Sequence, residues 1–187
     1  MAMSLVALLV AGSTVAATFY FRRAQLVSDY RVFVRSVAGT AALALSGDEL
    51  AAIRTPADER SPAFQKTRML LEKIRAINHL GEREIYVLRP LSPDCGTTEF
   101  VVSLAPDTGP GVRYSVNAEN VPPLRHAWED DPPTHTGIYR DAHGEWISGY
   151  ARVLDARGEP VAIVEVDAET SALASRFRRS DSRGWRL

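Results

Sequence analysis

The first 21 residues, Met1 to Phe21, carry no Lys, Arg, Asp, Glu or His, and 16 of them are apolar. The five exceptions are Ser4, Gly12, Ser13, Thr14 and Thr18, which are too scattered to form a polar face. A helix of that length is about 31 Å long, enough to cross the hydrocarbon core of a bilayer. Phe19, Tyr20 and Phe21 followed by Arg22 and Arg23 read as an interfacial belt with snorkelling cations. The run therefore predicts a membrane anchor over residues 1–23. A cleaved signal peptide is the alternative, with Val15-Ala16-Ala17 as a cleavage site, but a basic leading region is missing. Taken literally, the two arginines after the run place the body in the cytoplasm.

Every charge lies beyond this run. Arg22 and Arg23 contribute +2 and the tail 176–187 contributes +4, so a chain of net charge −1 leaves −7 on residues 24–175. An acidic body argues against nucleic acid, whose phosphates require a basic face. It leaves room for small ligands or protein contacts. Cys95 is the one cysteine, which excludes an intrachain disulfide framework and a cysteine-rich metal site.

From Ala24 to Leu45, Leu26, Tyr30, Phe33, Val37, Ala41 and Ala44 form a helical stripe, with no proline separating it from the anchor. The two are expected to be one helix, and the same stripe could also serve a homodimer. Ser46 with Glu49 opens a short helix over 47–53, which Thr55-Pro56-Ala57-Asp58 breaks. Ser61-Pro62 starts another helix, ended at Gly81. Strands follow over 84–89, 98–104 and 112–116. Residues 118–142, with Pro122, Pro123, Pro132 and Pro133, read as a long irregular loop. The clearest strands are 145–154 and 160–167, joined through Asp155-Ala156-Arg157-Gly158-Glu159, and 168–179 read as a helix. The fold class is α+β, with a long N-terminal helix packed on an antiparallel sheet of about five strands. Three regions are expected: the anchor 1–23, a domain 24–175 and a basic tail 176–187.

A two-residue turn at Arg157-Gly158 pairs Arg152 with Ile163, Tyr150 with Glu165 and Ser148 with Asp167. One face of that hairpin (Ile147, Gly149, Ala151, Val153, Ala162, Val164, Val166) is small and aliphatic, suited to a helix. The other mixes hydroxyls, an aromatic, a cation and two carboxylates. Such a face is commonly wet. Trp146 and Tyr150 are costly to leave in water, so the face reads as a small-ligand site covered by the long loop.

The stretches Thr136-Gly137-Ile138-Tyr139-Arg140-Asp141, Gly144-Glu145-Trp146-Ile147-Ser148-Gly149-Tyr150-Ala151 and Asp155 to Asp167 resemble extracytoplasmic PAS-like sensor domains of the Cache type. The order of the preceding helices and the Ile85-Tyr86-Val87-Leu88 strand is similar as well, so the resemblance covers about residues 20–175. It implies a single-pass protein of a bacterial inner membrane with its body in the periplasm. Such a domain binds a small molecule and relays the signal through its N- and C-terminal helices to an output module, a kinase or a nucleotide or diguanylate cyclase, outside this chain. It implies no cofactor. The arginine-rich amino-acid-binding motif of double Cache receptors is not found here, so an amino-acid ligand is not implied.

Candidate ligand-binding residues are Tyr150, Arg152, Ser148, Tyr139, His126, Trp128 and Asp167. Arg152 would pair a ligand carboxylate or phosphate, or else Glu165 or Asp167. Asp167 would hold a ligand amine or cap the following helix. His126 and Trp128 lie in the covering loop. His126, His135 and His143 with Asp130, Asp131 and Asp141 fit no tight ligand spacing, so no metal is expected. No Gly-x-Ser-x-Gly, phosphate-binding loop or Cys–His constellation is present, so an enzyme is not expected. The alternative is an anchored structural or protein-interaction module without a small ligand, which predicts an exposed apolar patch.

Overall fold

The computed structural model describes residues 2–130 and 132–170, with side chains from residue 12 onward. A single helix, α1, spans Ala2–Ala44, so the apolar run and the amphipathic stripe are continuous. Among the described residues no helix is long and apolar enough to cross a membrane. The first half of the expected anchor, residues 1–11, lies outside the described side chains. The buried face of α1 is Tyr30, Val34, Val37, Ala38, Ala41 and Ala42. It is rotated from the expected stripe: Phe33 packs only at its margin and Ala44 is exposed, because the small residues on the neighbouring face allow a closer approach to the sheet.

Two shorter helices follow. α2 (Gly47–Ala52) is capped by Ser46, whose hydroxyl accepts the Glu49 N–H at 3.4 Å. The predicted break is a single 3₁₀ turn, Pro56–Arg60, in which the Asp58 carboxylate accepts the N–H groups of Arg54 and Thr55 at 2.9 and 2.8 Å. α3 (Pro62–Ile77) begins at the Ser61 cap with proline in its first turn, where a missing N–H costs nothing. It ends sooner than Gly81: the left-handed residue is His79 at φ 55°, and Leu80 donates back to the Arg75 carbonyl at 2.9 Å.

The sheet is open, antiparallel and seven-stranded, in the order β3-β2-β1-β7-β6-β4, with β5 also paired to β6. β1 (Ile85–Pro90), β2 (Thr97–Ser103), β3 (Arg113–Ser115), β6 (Glu145–Leu154) and β7 (Pro160–Glu169) are the five anticipated strands. β4 (Thr134–His135) and β5 (Tyr139–Arg140) have two residues each, too few for alternation to be visible in sequence. Residues 118–142 are not irregular throughout: Val121–Glu129 form α4, with Pro122 and Pro123 tolerated in its first turn. The helix expected at 168–179 is also corrected at its start, since β7 runs through Glu169 and Ala168 is fully buried in the core. Residues 171–187, including the basic tail, lie outside the described residues.

The hairpin register is as anticipated, with Arg152 opposite Ile163, Tyr150 opposite Glu165 and Ser148 opposite Asp167. The turn is not. Asp155 donates to the Glu159 carbonyl at 2.9 Å, and a bulge between Val153 and Leu154 restores the register. α1, α2 and α3 cover one sheet face. There Val34, Ala38 and Ala41 join Ile147, Ala151, Val153, Ala162, Val164 and Val166 in one apolar core. Gly149 lets α1 touch the strand: a Cβ there would lie 2.4 Å from the carbonyl carbon of Val34. Only a residue without a side chain permits that approach.

Candidate functional site

The opposite sheet face lies under α4. Leu124 and Ala127 of that helix pack with Tyr150, Ile163, Cys95 and Val116, and Trp128 packs half-buried beside them. The prolines that open α4 fix its entry next to the sheet, and Thr134 Oγ1 donates to the Pro123 carbonyl at 2.7 Å. At its other end Arg152 Nη1 donates to the Glu129 carbonyl at 2.9 Å, occupying one orphan carbonyl at the helix C-terminus.

Under this cover the residues form a row across five strands. Register places Ser103, Tyr86, Glu165, Tyr150 and Thr134 side by side on β2, β1, β7, β6 and β4. Glu165 and Tyr150 are each 1% exposed and Asp167 is 7% exposed. Asp167 lies one step along β7 on the same face. Its Oδ2 accepts from the Tyr86 hydroxyl at 2.7 Å and its Oδ1 from Ser148 Oγ at 2.5 Å. Ser148 spends its one hydrogen on Asp167, so the Tyr139 hydroxyl, 2.8 Å away, donates to Ser148. Beyond Tyr86 the aromatic surface continues through Phe100 at 5.3 Å to Tyr114, a further 6.0 Å on.

Glu165 differs from Asp167. Its Oε2 is buried and has no hydrogen-bond partner among the described residues. Burial, and then the neighbouring Asp167, push the Glu165 carboxyl well above its ordinary range. Burial raises Asp167 to about 6, against the bonds from Ser148 and Tyr86 that favour its charged form. Two adjacent buried carboxyls disfavour each other's ionisation, so burial and mutual repulsion push Glu165 upward together. Burial first, and the two carboxylates next, raise Tyr86, Tyr114, Tyr139 and Tyr150, which stay neutral donors.

The structure thus brings together Ser148, Tyr139, Tyr150 and Asp167 of the residues singled out from sequence. Trp128 borders the cluster and Arg152 shares its sheet face. Arg152 pairs with neither Glu165 nor Asp167; its Nη1 is held by α4 and its buried Nε has no partner among the described residues. Asp167 does not cap a helix, because it lies inside β7 with both oxygens engaged. His126 is on the outer side of α4, its side chain 57% exposed and 3.3 Å from Asp130. A lid residue at that position points to solvent because helix periodicity turns Leu124 and Ala127, not His126, toward the sheet.

Tyr86 and Glu165 were not among the candidates. Strand parity places Glu165 on the correct face, but only the register between β1 and β7 brings Tyr86 beside it. Cys95 is fully buried with its thiol raised to about 11, mainly by burial. Among the described residues no group of three or more His, Cys, Asp and Glu side chains is placed to hold a metal ion.

No family model and no curated protein matches the chain. Solved structures do. The sensory domain of the Campylobacter jejuni chemoreceptor Tlp3 (CcmL) superposes with a TM-score of 0.50 at 13% identity, over 81% of this chain and 57% of that one. An extracellular ligand binding receptor from Desulfohalobium retbaense superposes with a TM-score of 0.51 at 14% identity, over 83% of this chain and 26% of that one. The chain spans a little over half the length of the first and about a quarter of the second. At this identity the likeness speaks of fold alone: a long N-terminal helix packed on an antiparallel sheet.

Proposed function

We propose that this chain is the sensor module of a single-pass bacterial inner-membrane protein, with residues 1–23 as anchor and the body in the periplasm. It binds a small molecule on the α4-covered face of the sheet. The observation that carries this reading is the layout of β6 and β7. Their buried polar face carries Ser148, Tyr150, Glu165 and Asp167, while the reverse of the same strands packs against α1. A change of strand position caused by a ligand is therefore felt by the helix that leads toward the membrane. The signal would reach a kinase or a nucleotide or diguanylate cyclase through α1 and the segment after β7. A periplasmic body overrides the literal charge rule for Arg22 and Arg23, on the strength of the fold it shares with extracytoplasmic domains.

The test is thermal-shift screening of the full chain in lipid nanodiscs against small acids, amines, sugars and nucleobases. The reading expects at least one class to raise Tm by several degrees, and a variant with Tyr150→Ala to lose that shift while remaining folded. Absence of any stabilising compound would sink it. Topology is read separately by a cysteine on the surface. Cys95 is too buried for labelling, so Glu119→Cys in a Cys95→Ser background is the probe, with labelling by an impermeant maleimide in whole cells expected.

A further inference from the structure

The strands of the sheet are not joined equally. β7 pairs with β6 over nine residues, from Trp146 opposite Glu169 to Leu154 opposite Pro160, and β1 pairs with β2 over five. β1 and β7 pair over four, from Ile85 opposite Val166 to Leu88 opposite Ile163. Past Leu88, Pro90 and Pro160 have no N–H with which to extend the ladder. A bulge also shifts the β1–β2 register at Val87/Leu88. This seam divides the sheet into a β3-β2-β1 half and a β7-β6-β4 half. α2 bridges the two halves where the ladder stops. On one side Gly47 lies against the hairpin, so that a Cβ there would sit 2.2 Å from the Leu154 carbonyl oxygen, and the Ala156 N–H donates to Asp48 Oδ1 at 3.4 Å. On the other side Arg89 of β1 grips the far end of α2. Its Nη2 donates to the Leu50 and Ile53 carbonyls at 2.8 and 3.0 Å, and its Nη1 to Glu99 Oε1 of β2 at 2.7 Å. We propose that the β1/β7 seam is the movable joint of this domain, and that α2, held by Arg89, is the strap that sets its opening and passes the movement to α1.

The strap is built to hold. The carbonyls at the end of α2 have no intrahelical N–H to accept, and the planar guanidinium fork reaches two of them together with Glu99. The Arg89 and Glu99 side chains are 8% and 15% exposed, so water competes little for these bonds. The two ends of the seam are closed by different means. At the Ile85 end the ladder is reinforced by the Asp167 N–H on the Glu84 carbonyl at 2.9 Å and by the Tyr86 hydroxyl on Asp167 at 2.7 Å. At the Leu88 end the ladder has stopped and α2 takes its place. A sheet laddered at one end of a seam and strapped at the other opens there as a hinge, with few backbone bonds to break. The link from strap to α1 is short. α1 ends at Ala44 and α2 begins at Gly47, Leu45 donates to the Ala42 carbonyl and Ser46 caps α2. α1 packs on β6 and β7, while Arg89 holds the strap from β1. Opening of the seam therefore pulls the last turn of α1 against the strands on which α1 rests. This goes beyond the sensor reading, because it locates the movement whatever compound drives it.

The test compares Arg89→Met and Arg89→Lys with the wild type, as full chains in nanodiscs. Lysine keeps the charge and loses the fork. Amide hydrogen exchange in the methionine variant should quicken about tenfold or more in α2 and at the seam amides of β1 and β7, with lysine in between, while amides shared by β6 and β7 keep their rates. A second readout is the distance across the seam. Nitroxides at Leu91→Cys, just past β1, and Arg157→Cys, in the hairpin turn, are placed in a Cys95→Ser background. Double electron–electron resonance should give one narrow distance with Arg89 in place, and a longer, broader one in both variants. A residue that only added stability would lower Tm without moving the labels. If the methionine variant does not fold, the lysine variant and the wild-type exchange pattern, with the seam faster than the β6–β7 pair, carry the test. The proposal is overturned by an unchanged label distance, by acceleration spread evenly over the sheet, or by a wild-type seam that exchanges as slowly as β6 and β7. If the seam behaves as described and no compound raises Tm in the thermal-shift screen, the joint stands and the sensor reading falls. If a compound raises Tm but the labels do not move in the Arg89 variants, the sensor reading stands and the joint falls.

Discussion

β6 and β7 present two faces built from alternating residues of the same twenty positions. Toward α1 the side chains are Ile147, Ala151, Val153, Ala162, Val164 and Val166, closed by Gly149 against the Val34 backbone. Toward α4 they are Ser148, Tyr150, Arg152, Glu165 and Asp167. Both faces are buried, yet they are buried for different returns. The α1 face removes apolar area from water and packs without polar debt. The α4 face buries two carboxyls, and one of their oxygens, Glu165 Oε2, has no partner among the described residues. Stability is concentrated on one side of the ribbon and chemistry on the other, and the backbone between them is shared.

The comparison can be broken most severely from the α1 side. Gly149→Val would drive a side chain into the α1 backbone and should cost about 3 kcal/mol or more, or prevent folding, as read by urea denaturation. A loss below 1 kcal/mol would mean that α1 does not sit against β6. The α4 face predicts a pH effect instead. A carboxyl whose folded pKa is raised holds its proton more tightly when folded. Asp167, raised from 3.8 to about 6, therefore adds stability that is complete below 3.8 and is lost as pH rises through about 6. The contribution is about 3 kcal/mol at most, so unfolding free energy should fall between pH 4.5 and 7.5. A rise over that interval would contradict the buried pair.

Smaller changes sharpen the contrast. Glu165→Gln removes the titrating group while keeping its shape, and should stabilise the protein by about 1–2 kcal/mol at pH 8 and flatten the pH profile. Destabilisation at every pH would show that the carboxylate is matched after all. Arg152→Met removes the bond to the Glu129 carbonyl and should cost only about 1 kcal/mol, with faster amide exchange confined to the α4 C-terminal turn. Exchange spreading into β6 would mean that Arg152 supports the sheet itself.

α1 and the long strands of the last hairpin were legible because each repeats its period over many residues, and α2 and α3 because Ser46 and Ser61-Pro62 mark their starts. The hairpin register was legible as well, although its turn was not: the bulge at Val153/Leu154 compensates for the longer connection, and a bulge leaves no trace in alternation. α4 was missed because Pro122 and Pro123 suppress a helical reading, although both are harmless in a first turn. The candidate site was legible in part. Ser148, Tyr150 and Asp167 follow from parity within one hairpin. Tyr86 lies 81 residues from the Asp167 it binds, and no local pattern connects them.

By itself the sequence determined the continuous first helix, the α+β order and the two unlike faces of the last hairpin, since periodicity and parity are local properties of the chain. Tertiary structure decided that the polar face is roofed by α4 rather than wet. It decided that His126 points away, and that both oxygens of Asp167 are engaged while Oε2 of Glu165 has no partner among the described residues. Those outcomes depend on which distant strand or helix arrives beside each residue. Partners and desolvation are properties of the assembled fold.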